Sequence, residues 1–209
     1  MNKKDIDYSV YLVTDHRGKT EEEILEVIEK AIKGGCGIIQ LREKTASTKD
    51  FYQLAIKVKE ITSKYNIPLI INDRIDIALA VKSEGVHLGQ DDMPADVARE
   101  IIGPDMILGV SASTIETAVK AEKDGADYIG SGAIFSTKTK DDADDLTKET
   151  LKEIVKTINI PVVAIGGITL ENAETIKDTG IAGFSVVSAI MNTEDPQKAS
   201  ETLKEIYKR

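Results

Sequence analysis

The sequence predicts an α/β protein, a single-domain (β/α)8 TIM barrel with eight parallel strands, over residues 1–209. Short apolar runs rich in β-branched residues alternate with longer amphipathic segments, and such runs are typical of parallel strands buried on both faces. Polar residues follow many of these runs, which favours a barrel. The competing architecture, a doubly wound open sheet, usually carries one phosphate loop near its first strand.

Eight apolar segments are predicted to be strands: Ser9–Thr14, Gly37–Arg42, Pro68–Asn72, Gly85–Gly89, Met106–Ser111, Tyr128–Gly132, Pro161–Ile165 and Gly183–Val187. Apolar residues spaced three and four apart predict helices between them. These helices are expected at Glu21–Lys33, Asp50–Tyr65, Ile115–Lys123, Lys148–Thr157, Glu171–Asp178 and Ala199–Lys208. Further helices are expected to begin near Arg74, at Pro94 and, as a short one, at Ser188.

Composition and charge exclude several classes of protein. A net charge of -9 argues against a nucleic-acid binder, which would present a basic face. The one cysteine, Cys36, cannot form an internal disulfide, which fits a reducing cytosol. We therefore expect a cytoplasmic protein, since no apolar run approaches the length of a membrane span.

Three polar residues alternate at the end of the second predicted strand. Gln40, Arg42 and Lys44 share one side of the extended chain, because side chains alternate with a period of two. An Arg fork beside a Lys charge can clamp a phosphate or diphosphate. For this segment alone, a solvated strand end with ion pairs to Glu43 carries equal weight.

Acidic residues after the third and fourth predicted strands suggest a Mg²⁺ site. Asn72 and Asp73 end the third strand, and Asp91 and Asp92 follow the fourth. Mg²⁺ prefers oxygen ligands and is typically held by one or two carboxylates plus substrate phosphates. Asn72, Asp73 and Asp92 could instead cap the helices that follow them, and taken in isolation capping is the favoured interpretation of Asn72 and Asp73.

The two histidines and the serine candidates give weaker signals. His87 lies within the fourth predicted strand, and a lone histidine there is more often a packed, hydrogen-bonded residue than a proton shuttle. Ser111 or Ser113 can contact a ligand, but no Gly-x-Ser-x-Gly elbow supports a nucleophile. His16 lies in an early loop and shows no partner in the sequence.

Signals for a second phosphate follow the last strands. Residues 137–140 offer two hydroxyls and two ammonium groups within four residues. The paired Gly166 and Gly167 let backbone N–H groups approach an anion closely. Loops after the seventh and eighth strands, with a short helix opening at Ser188, form a phosphate site that recurs in barrels.

In this order, the segments resemble the thiamine phosphate synthase family. The matching segments span almost the whole chain: Tyr11–Asp15, Gln40–Lys44, Ile71–Asp73, Gly85–Asp92, Gly109–Ala112, Thr137–Lys140, Ile165–Ile168 and Val186–Ile190. The family joins a hydroxymethylpyrimidine diphosphate to a hydroxyethylthiazole phosphate, releasing diphosphate and giving thiamine phosphate. The resemblance implies a Mg²⁺-assisted transferase.

The resemblance also implies a role for each matching residue. The diphosphate would be bound by Arg42, Lys44, Asn72 and Lys140, and Mg²⁺ would be ligated by Asp73 and Asp92. Gln40 and His87 would line the pyrimidine pocket, with Ser111 near the reacting centre. The thiazole phosphate would be received by Thr137, Thr139, Gly167, Val187 and Ser188. The candidate catalytic residues are Arg42, Lys44, Ser111 and Lys140.

Two other functions are kept open. A thiazole tautomerase of the same fold would need a base near the thiazole carboxylate and no metal clamp, and the combined cations and carboxylates speak against it. A non-catalytic barrel that binds a phosphorylated ligand is the other alternative. The expected partners are the small-molecule substrates, with a homodimer left open, and the segment Lys138–Glu149 is expected to close as a lid.

Overall fold

The computed structural model describes residues 2–136 and 146–209, and its eight strands form a closed barrel in chain order. Every neighbouring pair is parallel, including β1 with β8. The strands are β1 Val10–Val13, β2 Ile38–Leu41, β3 Leu69–Asn72, β4 Gly85–Leu88, β5 Ile107–Ser111, β6 Tyr128–Ser131, β7 Val162–Ile165 and β8 Gly183–Val186. The predicted (β/α)8 barrel is confirmed, with each strand one residue shorter than predicted at one or both ends.

The helices of the described segments surround the barrel. They are α1 Glu21–Lys33, α2 Thr48–Lys64, α3 Ile75–Val81, α4 Ala95–Ile102, α5 Ile115–Lys123, α6 Lys148–Thr157, α7 Ser188–Met191 and α8 Pro196–Lys208. Local capping sets several of their starts: Thr20 forms a capping box with Glu23 at α1, and Asp195 caps α8 ahead of Pro196. Among the described helices, none is both long and apolar enough to cross a membrane.

The predicted helix Glu171–Asp178 is wrong as an α-helix. The chain there makes two 3₁₀ turns, Ala173–Thr175 and Lys177–Thr179. Side chains explain the difference, because the hydroxyls of Thr175 and Thr179 donate to carbonyls three residues back, at 2.7 and 2.6 Å. Such local bonds compete with the ladder of a regular helix.

Strand side chains alternate between two apolar layers. The inner layer, inside the barrel, consists of Tyr8, Tyr11, Val13, Ile38, Ile70, Ile107, Tyr128 and Val163. The outer layer, between the strands and the helices, includes Leu12, Leu41 and Ile71. Residues two apart on one strand therefore face the same layer, which directs one set of side chains into the barrel.

Gly109 on β5 makes room for the aromatic side chains of the inner layer. A Cβ atom at this position would lie 2.1 Å from Cζ of Tyr128 and 2.5 Å from Nδ1 of His87. Neither ring can move away, since Tyr128 is fully buried and His87 nearly so. The missing side chain of Gly109 is thus what lets two large polar rings share the barrel interior.

Truncating a side chain of the outer layer tests this packing. Leu12→Ala removes a fully buried side chain, and we expect the free energy of unfolding to fall by about 2–5 kcal/mol, since the cavity collapses only in part. The measurement is urea unfolding followed by circular dichroism. Leu79→Ala, at a side chain 44% exposed, is the control and should cost less than about 1 kcal/mol. Equal losses would contradict the assignment of the core.

Candidate active site

The carboxyl ends of the strands open into a cavity of about 610 Å³, a size typical of small-molecule sites. The site residues predicted within the described segments all line it: Gln40, Arg42, Lys44, Asn72, Asp73, His87, Asp92, Ser111, Gly167, Val187 and Ser188. Thr137, Thr139 and Lys140 lie outside the described residues, as does most of the predicted lid Lys138–Glu149.

Two carboxylates and one ammonium meet at one side of the cavity. Lys44 Nζ donates to Asp73 Oδ2 at 2.5 Å, and the carboxyl of Asp92 lies within hydrogen-bonding reach of the carboxyl of Asp73. Burial raises the pKa of Asp92, and the neighbouring Asp73 raises it further. A pair of oxygen-donor groups held this close, beside one cation, has the chemistry of a divalent-cation site.

The backbone aims these carboxylates into the cavity and away from the helices. Asp73 follows β3 with a left-handed φ of 61°, and Asp92 Oδ2 accepts from the Gly89 amide at 2.6 Å. No side chain caps α3 or α4, whose cap positions are Arg74 and Pro94. The capping interpretation of Asn72, Asp73 and Asp92 is therefore wrong.

The end of β2 sends alternate side chains in opposite directions. Arg42 and Lys44 line the cavity, whereas the Glu43 carboxylate accepts from His16 Nδ1 at 3.0 Å outside it. The Glu43 side chain is only 4% exposed, and burial raises its pKa. Lys44 thus pairs with Asp73 and not with Glu43, and His16 does have partners.

A continuous chain of hydrogen bonds crosses the floor of the cavity. Gln40 Nε2 donates to the Tyr11 hydroxyl at 2.7 Å, and the hydroxyls of Tyr11 and Tyr128 lie 2.6 Å apart. The Tyr128 hydroxyl then meets His87 Nδ1 at 2.9 Å, and His87 Nε2 meets Ser111 Oγ at 3.0 Å. Five strands contribute one residue each to this chain.

The floor is polar yet carries no phenolate charge. Burial raises the pKa of both Tyr11 and Tyr128, which keeps the two phenols neutral near pH 7. Both ring nitrogens of His87 are engaged, and this fixes the plane of the imidazole. A fixed floor of neutral donors and acceptors between aromatic rings suits a flat nitrogen heterocycle better than an anion.

Tyr11 and Tyr128 are the residues of this floor that the sequence interpretation missed. They lie 117 residues apart in the chain, so no local pattern connects them. One signal was available: both are polar-tipped residues on otherwise apolar strands, and period-two alternation places Tyr128 on the same side as Gly130. Gln90 was also missed, and its amide donates to the Ser111 carbonyl at 2.6 Å.

The opposite side of the cavity is formed by the ends of β7 and β8. Gly166 and Gly167 both have left-handed φ angles, 97° and 64°, which side chains rarely adopt. A Cβ at Gly167 would also lie 2.7 Å from the carbonyl oxygen of Phe135. Gly167, Val187 and Ser188, the first residue of α7, line this side, and none of the described residues lining it is a carboxylate.

The chain of hydrogen bonds across the cavity floor gives a prediction about stability. Tyr128→Phe removes a fully buried hydroxyl that bonds two partners, leaving Tyr11 and His87 each short of one bond. We expect the free energy of unfolding to fall by about 1–3 kcal/mol. Tyr52→Phe, on the half-buried face of α2, is the matched control and should change it by less than about 0.5 kcal/mol. Urea unfolding of the two variants is the measurement. Equal effects would show that the hydrogen bonds of the cavity floor add nothing to stability.

The carboxylate pair gives a prediction about pH. Asp92→Asn keeps an acceptor for the Gly89 amide and removes the charge. Since the pKa of Asp92 is raised on folding, its ionisation destabilises the folded state at all pH values above that raised pKa. We therefore expect the metal-free variant to melt at a higher temperature than the wild-type protein at about pH 7.

The size of this difference changes with pH in a defined way. The advantage of Asp92→Asn shrinks as pH falls from the raised pKa towards the ordinary value of 3.8, below which the wild-type carboxyl is protonated in both states. Melting curves in chelator across this range are the measurement. A variant that melts below the wild-type protein at neutral pH would mean that the two carboxylates do not repel each other.

Comparison with known proteins extends these observations. A family model described as thiamine monophosphate synthase matches residues 10–190. Thiamine-phosphate synthases from Ruminiclostridium cellulolyticum and Methanobrevibacter smithii are each 60% identical, over 98% of this chain and 98% and 97% of theirs.

Solved structures agree with the sequence matches. Thiamine phosphate pyrophosphorylase from Pyrococcus furiosus superposes with a TM-score of 0.89 at 42% identity, covering 97% of this chain and 96% of that one. An N-acetylmannosamine-6-phosphate 2-epimerase from Clostridium perfringens, at 20% identity and a TM-score of 0.69, shares the fold alone. The resemblance seen in the sequence is confirmed, and the chain belongs to the thiamine monophosphate synthase family.

Proposed function

We propose that this chain catalyses the synthesis of thiamine phosphate, as a transferase acting on hydroxymethylpyrimidine diphosphate and hydroxyethylthiazole phosphate. One observation carries the proposal beyond family membership. A single cavity has the Lys44–Asp73–Asp92 cluster on one side and Gly167 and Ser188 on the other, where the residues that the structure describes include no carboxylate. The neutral hydrogen-bonded floor lies between them.

The reaction needs little acid–base chemistry. The bond between the pyrimidine methylene carbon and the diphosphate oxygen breaks, and its electron pair leaves with the oxygen. The lone pair of the thiazole nitrogen then forms the new carbon–nitrogen bond. The pyrimidine ring stabilises the intervening cation, so no protein nucleophile is required. This agrees with a site whose described residues are rich in anion-binding groups and include one histidine, His87.

Arg42, Lys44 and Asn72 would bind the diphosphate. Negative charge grows on the leaving oxygen as the bond breaks, and preorganised donors stabilise it without reorganising. The Lys44 ammonium, already held by Asp73 at 2.5 Å, is in place for this role. Lys140, predicted from the family motif, would add a second ammonium.

Asp73 and Asp92 fit as ligands of Mg²⁺, because two carboxylates approach each other at the same edge of the cavity as the cations. Mg²⁺ bound there supplies charge neutralisation to the departing diphosphate. Asp92 is oriented by the Gly89 amide and Asp73 by Lys44, so both present fixed oxygens. Burial and the neighbouring Asp73 both raise the pKa of Asp92, and a cation bound beside it would favour the ionised form.

The floor would seat the pyrimidine. An aminopyrimidine offers both donors and acceptors on its edge, and Gln40, His87 and Ser111 present groups that are themselves fixed by hydrogen bonds. Gly167, Val187 and Ser188, together with the predicted Thr137 and Thr139, would hold the thiazole phosphate. Fixing both substrates over one floor supplies the proximity that a two-substrate reaction requires.

Turnover of the purified protein tests the proposal. With both substrates and Mg²⁺, we expect thiamine phosphate and diphosphate to appear in equal amounts, measured by chromatography and a phosphate assay. Lys44→Ala should lower kcat/KM by about 100-fold or more, because it removes a donor to the leaving group. Lys30→Ala, which removes a surface ion pair with Glu26 on α1, is the control and should leave turnover unchanged. Absence of thiamine phosphate, or full activity of Lys44→Ala, would contradict the proposal.

A further inference from the structure

We propose that His16 is a positioning residue for the diphosphate side of the site. Its imidazole lies between Glu43 and Thr45, and so fixes the chain on both sides of Lys44. The inference rests on the proposed function, since it takes Lys44 as a diphosphate ligand. The partner it serves is the diphosphate group and not the thiazole phosphate.

The geometry at His16 is specific to the residues that flank Lys44. The ring nitrogen Nδ1 lies 3.0 Å from Glu43 Oε2, and Nε2 lies 3.2 Å from Thr45 Oγ1. Both nitrogens are thus used, one on each neighbour of Lys44. Lys44 itself points the other way, to Asp73 at 2.5 Å.

Burial makes Glu43 the anchor of this segment. The Glu43 side chain is 4% exposed, whereas the Lys44 side chain is 50% exposed. An exposed lysine has many rotamers, and confining it to one of them costs conformational entropy. If the backbone of Lys44 is already fixed, only its side chain loses conformational freedom when the ligand binds. The entropy cost of binding is then smaller.

The contacts of His16 extend a seam between the loops that follow β1 and β2. The Thr14 amide donates to the Gln40 carbonyl at 2.9 Å, and the Arg42 amide donates to Thr14 Oγ1 at 3.0 Å. Thr14 is fully buried. Beyond this pair, the contacts of His16 with Glu43 and Thr45 continue the seam past the last paired residues of β1 and β2.

Charge complementarity supports the same arrangement around Arg42. The guanidinium attracts both Asp15 and Glu43, which lie on the two sides of the seam. Loss of the imidazole would leave the nearly buried Glu43 carboxyl without that partner, and a buried carboxyl then gains water or a proton by moving. Movement of Glu43 displaces the adjacent Arg42 and Lys44 together, so both cations lose their alignment.

Binding of inorganic diphosphate tests the inference without depending on turnover. Calorimetric titrations in Mg²⁺ compare the wild-type protein with His16→Ala, Glu43→Ala and the double variant. We expect each single variant to bind diphosphate about 5- to 30-fold more weakly, and the double variant to bind no more weakly than the worse single one, since the two residues act as a unit. Glu26→Gln, which alters a surface pair on α1, is the control and should bind as the wild-type protein does.

A second readout separates positioning from general destabilisation. In His16→Ala, KM for the pyrimidine diphosphate should rise while KM for the thiazole phosphate stays within about twofold, because Gly167 and Ser188 lie on the other side of the cavity. His16→Gln, which keeps a polar group able to bond Thr45, should recover part of the loss. A merely structural role would raise both KM values alike and overturn the inference.

The outcomes distinguish this inference from the proposed function. If the wild-type protein binds diphosphate and His16→Ala binds it equally well, the positioning role is wrong and the synthase proposal stands. If the wild-type protein does not bind diphosphate in Mg²⁺, the diphosphate side of the proposed function is wrong, and the role of His16 is rejected with it.

Discussion

The parallel register of β2, β3 and β4 is the constraint on which the site depends. Gln40 on β2 is level with Ile70 on β3, and Asn72 on β3 is level with His87 on β4. Because side chains alternate strictly, a shift of one residue would turn every one of these side chains into the outer layer. The same register brings the residues just past the strand ends, Lys44 and Asp73, within reach of each other.

The site is assembled from interactions that a stability-optimised barrel would avoid. The interior holds three tyrosines, a histidine and a glutamine where aliphatic residues would pack more simply. Buried polar groups are costly unless each finds a partner, and the chain from Gln40 to Ser111 offsets that cost. Asp73 and Asp92, by contrast, are two carboxyl groups close together, and burial together with the neighbouring Asp73 raises the pKa of Asp92.

Local patterns in the sequence were sufficient for most of the fold and for several of the residues that line the cavity. Period-two alternation identified Gln40, Arg42 and Lys44 as cavity residues, and strand ends identified Asp73 and Asp92. Contacts between distant segments had no such signal. The bond of His16 to Glu43 depends on the pairing of β1 with β2, and the bond of Tyr11 to Tyr128 depends on closure of the barrel.

The incorrect prediction of a helix at Glu171–Asp178 has a different cause. Residues 171–178 have helical periodicity, but side-chain bonds from Thr175 and Thr179 favour 3₁₀ turns, and Gly180 ends the segment in a left-handed conformation. Helix propensity predicts the structure of this segment poorly, because the segment is short and bounded by turn residues. The spatial arrangement of the site is unaffected, since this segment lies beyond the Gly166–Gly167 turn.

The proposed role of Asp73 and Asp92 is to recruit Mg²⁺ for a diphosphate held by Lys44 and Arg42. Its most direct test is the affinity of inorganic diphosphate with and without Mg²⁺, measured by calorimetry on the wild-type protein and on Asp73→Asn. We expect Mg²⁺ to tighten binding by about tenfold or more in the wild-type protein, a coupling of about 1.4 kcal/mol, and we expect this dependence to be lost in the variant. An equal effect of Mg²⁺ on both proteins would contradict it.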